Sequence, residues 1–302
     1  MNRPGSKLEP LLNRRQALEL AGAVSLGLTS VSLADENSPA TTEKPLDIID
    51  TNVHLFRWPF RRLPLDETVR LVKKLRQYNI TQAWAGSYEG LLHRDLSSVN
   101  RRLFQQCAKF PELIPIGTIN PTLPGWQRDL EDCKTKLAMS GIRLYPNYHH
   151  YTLKDSFVSV LLQRAESLGL FVQIAISMED GRTQHRSLQV QDVNVSPLPE
   201  LLGQFPNLPV QLLNAKLPAA LTAQLAKLPN LFLDISRVDG SAGIPQLAEV
   251  FPLNRILFGS HAPFLIPEAA LIRVHESGQF DNSELQAIYA ANAVALLKGS
   301  RS

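Results

Sequence analysis

A surplus of one charge sign is what this chain most plainly lacks: 31 lysines and arginines face 28 aspartates and glutamates over 302 residues, a formal net charge of +3. Recognition of nucleic acid needs a basic excess gathered on one face. Most of this small surplus sits in the first 34 residues, where Arg3, Lys7, Arg14 and Arg15 outnumber Glu9 and Glu19, so no nucleic-acid partner is expected. Cysteine is equally scarce. Cys107 and Cys133 fall in segments of helical periodicity and belong to no close pair of metal-ligand spacing. They read as buried thiols, with one disulfide between neighbouring helices as the alternative in an exported protein. No strongly apolar run reaches the roughly 20 residues that span a bilayer. No G-x-G-x-x-G follows the first strand pattern, which removes the phosphate loop of dinucleotide folds.

What is present begins at the amino terminus. The segment LLNRRQALELAGAVSLGLTSVSLADE sets Arg14 and Arg15 ahead of a mildly apolar run, Ala21 to Ala34, that ends in Ser32-Leu33-Ala34, a small-x-Ala cleavage pattern. It resembles a twin-arginine export signal, with an amphipathic amino-terminal helix as the alternative. Residues 1–34 are therefore expected to be a signal, residues 35–45 (DENSPATTEKP) a polar linker, and residues 46–302 the working domain, exported to the periplasm and with no membrane span once the signal is removed. The sequence carries no indication of oligomeric state.

With 44% apolar residues the chain can bury a large core in one domain. Short β-branched or apolar runs at 46–51, 81–86, 113–119, 141–145, 170–176, 209–214, 230–235 and 255–259 read as strands, separated by amphipathic helical patterns such as DETVRLVKKLRQY (66–78) and KDSFVSVLLQRAESLG (154–169). Strict alternation of strand and helix implies parallel pairing through right-handed crossovers. Eight such units predict an α/β fold closed into a (β/α)8 TIM barrel, with an open doubly wound sheet as the competitor.

In such a barrel the chemistry sits where strands end. In DIIDTNVHLF (47–56), alternation places Asp50, Asn52 and His54 on one face. Five of the seven histidines lie in the loops after the second, fourth, fifth and eighth strands, namely His93, His149, His150, His185 and His261. Arg143 and Tyr145 share a face of the fourth strand and offer a guanidinium and a phenol to a substrate carboxylate. The alternative for Arg143 is an ion pair with Asp234 or Glu179. In SMEDGRTQHRS (177–187), Glu179 and His185 suit general acid–base work, against the reading of a charged, solvated loop. Adjacent residues rarely converge on one metal, so His149 and His150 read as loop surface. Trp58 either edges a lid with Phe56 and Phe60 or, as expected here, packs on the helix ring.

Taken in order, IIDTNVHLF, GIRLYPN, GLFVQIAIS, FPNLPVQLLNA, LPNLFLDIS, ILFGSHAPF and the terminal IYAANAVALL resemble the amidohydrolase-related metal-dependent hydrolases over roughly residues 46–299. The resemblance implies a divalent metal, commonly zinc, held by a His-x-His pair on the first strand, histidines on the fifth and sixth and an aspartate on the eighth. Those positions here are Asn52 and His54, Ala175, Asn214 and His261. Carboxamide oxygens are weak donors to zinc and alanine has no lone pair, so no metal or other cofactor is expected; if one were held, His54 and His261 would hold it. The expected function is an exported hydrolase or carbon–carbon lyase for a small anionic or cyclic substrate, with a degenerate metal site. In it His54, Glu179, His185 and His261 would be catalytic, and Asn52, His93, Asn120, Arg143, Tyr145 and Asn214 would bind substrate. The alternative is a catalytically inactive pseudoenzyme that binds a ligand or partner. The signal reading predicts that replacing Arg14 and Arg15 together by lysine holds the protein in the cytoplasm with its leader attached, as cell fractionation and intact mass would report.

Overall fold

The structure is a computed structural model and describes residues 46–299, so the expected signal and linker at residues 1–45 lie outside the described residues. Nine parallel segments follow one another: β1 (Ile48–Leu55), β2 (Ile80–Ser87), β3 (Leu113–Pro115), β4 (Gly117–Thr118), β5 (Gly141–Leu144), β6 (Phe171–Ala175), β7 (Val210–Leu213), β8 (Leu231–Asp234) and β9 (Ile256–Leu257). β3 and β4 are halves of one stave interrupted at Ile116, whose N–H still donates to the Ala85 carbonyl at 2.9 Å. The sheet closes on itself because Thr51 N donates to Phe258 O at 3.0 Å and His54 N to Ala262 O at 2.8 Å. Closure leaves no edge strand, and the expected eight-stave barrel is what forms.

Helices cover the outside because their apolar residues recur at helical spacing. α1 (Thr68–Gln77) buries Leu71, Val72 and Leu75, and α4 (Ser156–Ser167) buries Val158, Leu161, Leu162 and Ala165. α2 (Leu96–Cys107) starts at Asp95, whose carboxylate accepts from Ser98 N at 3.0 Å, and α3 (Trp126–Thr135) carries Cys133. Both cysteines are buried and free.

The barrel floor is apolar. Ile49, Trp84, Ile116, Phe171 and Leu257 meet there, with Ala293 and Leu296 of the terminal helix Asn292–Gly299 packed beneath them. Gly141 is required for this packing, since a Cβ on it would lie 2.5 Å from the Phe171 ring. Asn292 ties the terminal helix to the floor by donating to the carbonyls of Leu253 and Ile256, both at 2.8 Å.

β1 runs to Leu55, further than the apolar run at 46–51 suggests, and all eight of its residues are buried. Its polar residues, expected on one face at the strand's exit, find partners inside the barrel. Its pairing with β2 shifts register between Asp50 and Val53, which breaks the simple alternation of Asp50, Asn52 and His54. Phe171→Ala should cost about 3–5 kcal/mol in chemical denaturation, against under about 0.5 kcal/mol for the exposed Val160→Ala.

Candidate functional site

Above the apolar floor lies a hydrogen-bonded polar layer. Arg143 on β5 is fully buried and donates to Gln173 Oε1 at 2.8 Å, to the carbonyls of Val53 at 3.0 Å and Trp84 at 3.2 Å, and to His54 Nε2 at 2.8 Å. The bonds continue across the barrel: Gln173 Nε2 donates to Gln211 Oε1 at 2.8 Å, Gln211 Nε2 to Thr51 Oγ1 at 2.7 Å, and Thr51 Oγ1 to the Phe258 carbonyl at 2.8 Å. Every dipole in this relay points the same way, with the positive head at Arg143. Gly86 makes room for that head, since a Cβ there would lie 2.7 Å from Arg143 Nη1. Arg143 therefore forms neither of the ion pairs open to it from sequence: Glu179 is paired with Arg61, and the Arg143 nitrogens are engaged inside the barrel.

The tautomers of the two mouth histidines follow from their partners. Arginine has no acceptor, so His54 Nε2 accepts from Arg143, with the Tyr145 hydroxyl also 3.1 Å away, and the ring proton sits on Nδ1. His261 Nε2 faces the Met178 carbonyl at 2.9 Å and must donate, which leaves its Nδ1 as a lone pair. Both Nδ1 atoms are buried and unpartnered. Burial, then Arg143 and His261, hold His54 well below the usual histidine range; burial, only partly offset by the Met178 carbonyl, lowers His261 to about 3. Each stays neutral at pH 7.

Beside them lies an amide–carboxylate cluster. Asn52 Nδ2 donates to Asn214 Oδ1 at 2.7 Å and Asp234 Oδ2 at 2.6 Å, and Ser236 Oγ donates to Asn214 Oδ1 at 2.8 Å. Asp50 Oδ1 accepts from the backbone of Asn52 and Ser260. Burial raises both Asp50 and Asp234 to about 6. Asn214 and His261 each adopt positive φ, 56° and 58°, a conformation costly for residues with a Cβ and held here by the surrounding bonds.

A hydrophobic cover closes the mouth. Trp58 contacts the rings of Phe60, Tyr88, Tyr148 and Phe264 and packs with Leu63, Met178 and Val190, so it belongs to the cover and not to the helix ring expected for it. The loop after β1 has only the rim of the barrel to cover its aromatic side chains, which explains the difference. Arg61 fastens this cover, donating to Glu179 at 3.1 Å while lying 5.0 Å from the Phe264 ring centroid.

The remaining sequence candidates are scattered. Glu179 is buried against Arg61, whereas His185 is exposed, stacks on Phe60 and accepts from Ser187 N, so the two do not form a pair. His93 is exposed, and Asn120 turns its Oδ1 to Thr122. His149 is buried and donates to the Gly90 carbonyl at 2.9 Å, a correction to the surface position expected of it; His150 is exposed. The structure thus brings together Asn52, His54, Arg143, Tyr145, Asn214 and His261. It adds Thr51, Tyr88, Gln173, Gln211 and Asp234. The signal for the two glutamines was a polar residue at the centre of FVQIA and of VQLL, strands otherwise wholly apolar.

A histidine whose folded pKa is depressed stabilises the fold above its unfolded value near 6.5 and withdraws that stability as pH falls toward the folded value. Asp50 and Asp234, raised to about 6, act oppositely, favouring the fold at low pH and losing that contribution as pH rises through about 6. Comparison of wild type with His261→Asn isolates the histidine. The melting-temperature difference should be constant above pH 7 and should move against the wild type as pH falls from about 6.5 toward about 3.

The family model described as amidohydrolase matches residues 49–299. Among solved structures, the chain is similar to 2,6-dihydroxybenzoate decarboxylase from Rhizobium, with TM-score 0.67 and 14% identity over 84% of this chain and 99% of that one. It is similar to 5-carboxyvanillate decarboxylase from Sphingomonas paucimobilis with the same four values, 0.67, 14%, 84% and 99%. A dihydroxybenzoic acid decarboxylase from Polaromonas with bound manganese and the inhibitor 2-nitroresorcinol gives 0.67 and 16% over 85% and 98%. No curated protein sequence matches the chain. At these identities the solved structures speak to the fold, while the family model spans the barrel from β1 to the terminal helix: the chain belongs to the amidohydrolase family.

Proposed function

We propose that this protein is a small-molecule-binding member of the amidohydrolase family that works without a divalent metal. The carrying observation is the 2.8 Å bond from Arg143 Nη1 to His54 Nε2. The residue that the family would use as a metal ligand has that lone pair turned toward a guanidinium. The rest of the donor set fits a divalent cation no better. Ala175 has no lone pair, Asn52 and Asn214 are neutral amides bonded to one another, and His261 turns its Nε2–H to a carbonyl. Among the described residues no three of histidine, cysteine, aspartate and glutamate group as a metal site. A metal-bound hydroxide is thus not part of the proposed chemistry. Two of the bases expected from sequence are not available to activate water: Glu179 is engaged by Arg61, and His261 is far too weak a base at neutral pH.

What supports a ligand is the set of unpartnered atoms in the mouth: His54 Nδ1, His261 Nδ1, Asn52 Oδ1, the Tyr88 hydroxyl and Trp58 Nε1 are all buried without a hydrogen bond. Such groups cost about 1–3 kcal/mol each when left unsatisfied, and a bound polar molecule relieves them. His54, Asn52 and His261 are fully buried, so entry requires the Trp58 cover to lift. The amino-terminal pattern adds the proposal that binding takes place outside the cytoplasm.

A second reading, turnover as a carbon–carbon lyase, is favoured by the Asp50 and Asp234 carboxyls near 6, which are partly protonated just below neutrality. The solved relatives named as decarboxylases give it support.

Native mass spectrometry of protein purified without chelators should give the apo mass after incubation with manganese or zinc, and EDTA should leave the melting temperature unchanged. Small carboxylates and cyclic acids should raise that temperature by mass action without product. A product would favour the lyase reading, and a stoichiometric ion would overturn the metal-free proposal.

A further inference from the structure

The metal-free reading leaves open what the cation of this site is, and the following inference rests on that reading. We propose that the Arg143 guanidinium is the resident cation of the barrel mouth, seated on the ring of His54, and that it commits His54 to donate from Nδ1 to a carboxylate or carbonyl oxygen of the bound molecule.

Three observations carry it. The guanidinium is fixed from several sides: two backbone carbonyls, the Gln173 amide and the His54 ring receive its protons, and the absence of a Cβ at Gly86 leaves room for it there. A side chain held on so many fixed acceptors does not swing out to meet a substrate, so its charge acts through the groups it touches. On the Nε side, the Gln173–Gln211–Thr51 relay carries polarisation to the Phe258 carbonyl. On the Nη1 side it reaches the His54 ring, with the Tyr145 phenol beside the same bond. Donation into Nε2 withdraws electron density from the imidazole and makes the opposite Nδ1–H a stronger hydrogen-bond donor, as in any chain of bonds headed by a charge.

That donor is unpartnered and belongs to a closed cycle of rings. His54 stacks on Tyr88 with centroids 4.6 Å apart, Tyr88 meets Trp58 at 5.2 Å, Trp58 meets Phe264 at 5.2 Å, Phe264 meets His261 at 5.1 Å, and His261 meets His54 at 5.5 Å. Four of these five rings carry a buried polar atom without a partner. Trp58 Nε1 can only donate and the Tyr88 phenol can donate, so with His54 the cycle offers three donors against the single lone pair of His261 Nδ1. Three donors with a guanidinium behind one of them match an oxygen acceptor, and an anionic oxygen best. A cationic ligand would meet the wrong polarity.

The test is nuclear magnetic resonance of protein labelled with 15N-histidine, with sodium acetate and manganese(II) chloride as probes. In the wild type His54 should be neutral with its proton on Nδ1, and saturating acetate should move the His54 Nδ1 resonance while leaving exposed His93 in place. Arg143→Lys, which keeps a charge and a donor, should preserve this tautomer; Arg143→Gln should mix the two tautomers and weaken the acetate response at least tenfold. A proton on Nε2 in the wild type, or an Nδ1 signal unmoved by acetate, would overturn this inference and leave the metal-free reading standing. Manganese-induced broadening centred on His54 would overturn both. The wild-type tautomer decides the point even if a variant does not fold.

Discussion

The structure turns on a buried guanidinium that has no carboxylate among its hydrogen-bond partners. Removing a charge from water is expensive, and burial without a counter-ion requires that every donor find an oxygen or nitrogen. Arg143 places four of its five N–H donors on two carbonyls from β1 and β2, the amide of Gln173 and the ring of His54, with the Tyr145 phenol also against it. Much else follows from this arrangement. Gly86 must lack a side chain, the centres of β6 and β7 must be glutamine, and β1 must present Thr51 to close the relay. A hydrocarbon core would be cheaper to build. Retaining a charged layer above the aromatic floor therefore points to a role in the mouth, where His54 receives the guanidinium proton and can pass the influence of the charge upward.

The mouth combines two tendencies that ordinarily exclude each other. Its interior carries a dense set of hydrogen-bonding atoms, several unpartnered, while its cover is assembled from Trp58, Phe60, Tyr148, Phe264, Met178 and Val190. In such a low-dielectric setting the polar atoms hold their strength because water does not compete for them. Neutral histidines are a consequence of the same dryness, since burial is the largest influence on both His54 and His261. Opening that cover means parting Arg61 from Glu179 and from the Phe264 face, contacts that are partly exposed and therefore of modest strength.

An intact amidohydrolase barrel is compatible with the proposed metal-free reading, because Asn52, the residue bonded to both Asn214 and Asp234, satisfies its side-chain donor within the mouth. The positive φ at Asn214 and at His261 shows the rim still holding a constrained geometry. That strain is sustained by the Asp234 carboxylate, which accepts from Asn214 N, and by the Met178 carbonyl, which receives the His261 ring proton.

Alternation of short apolar runs with amphipathic helices was enough to determine the eight parallel staves, because each is set by local periodicity and parallel pairing admits few topologies. Closure, against an open doubly wound sheet, was decided by the bonds from β1 to Phe258 and Ala262. The strand exits were equally legible, and with them His54, Arg143, Tyr145, Asn214 and His261, since position in a barrel strand dictates which end a residue occupies. Partnership was not legible. Arg143 could have faced a substrate, Asp234 or Glu179, and only the packed interior directs it to His54 and Gln173. Glu179 and His185 lie six residues apart in one loop, yet folding turns one to Arg61 and the other to Phe60. Local pattern specifies backbone, which repeats. Hydrogen-bond partners, tautomers and the sealing of the mouth depend on residues more than 80 positions apart, such as His54 with Arg143 and Met178 with His261. Only the tertiary structure brings those atoms within bonding distance.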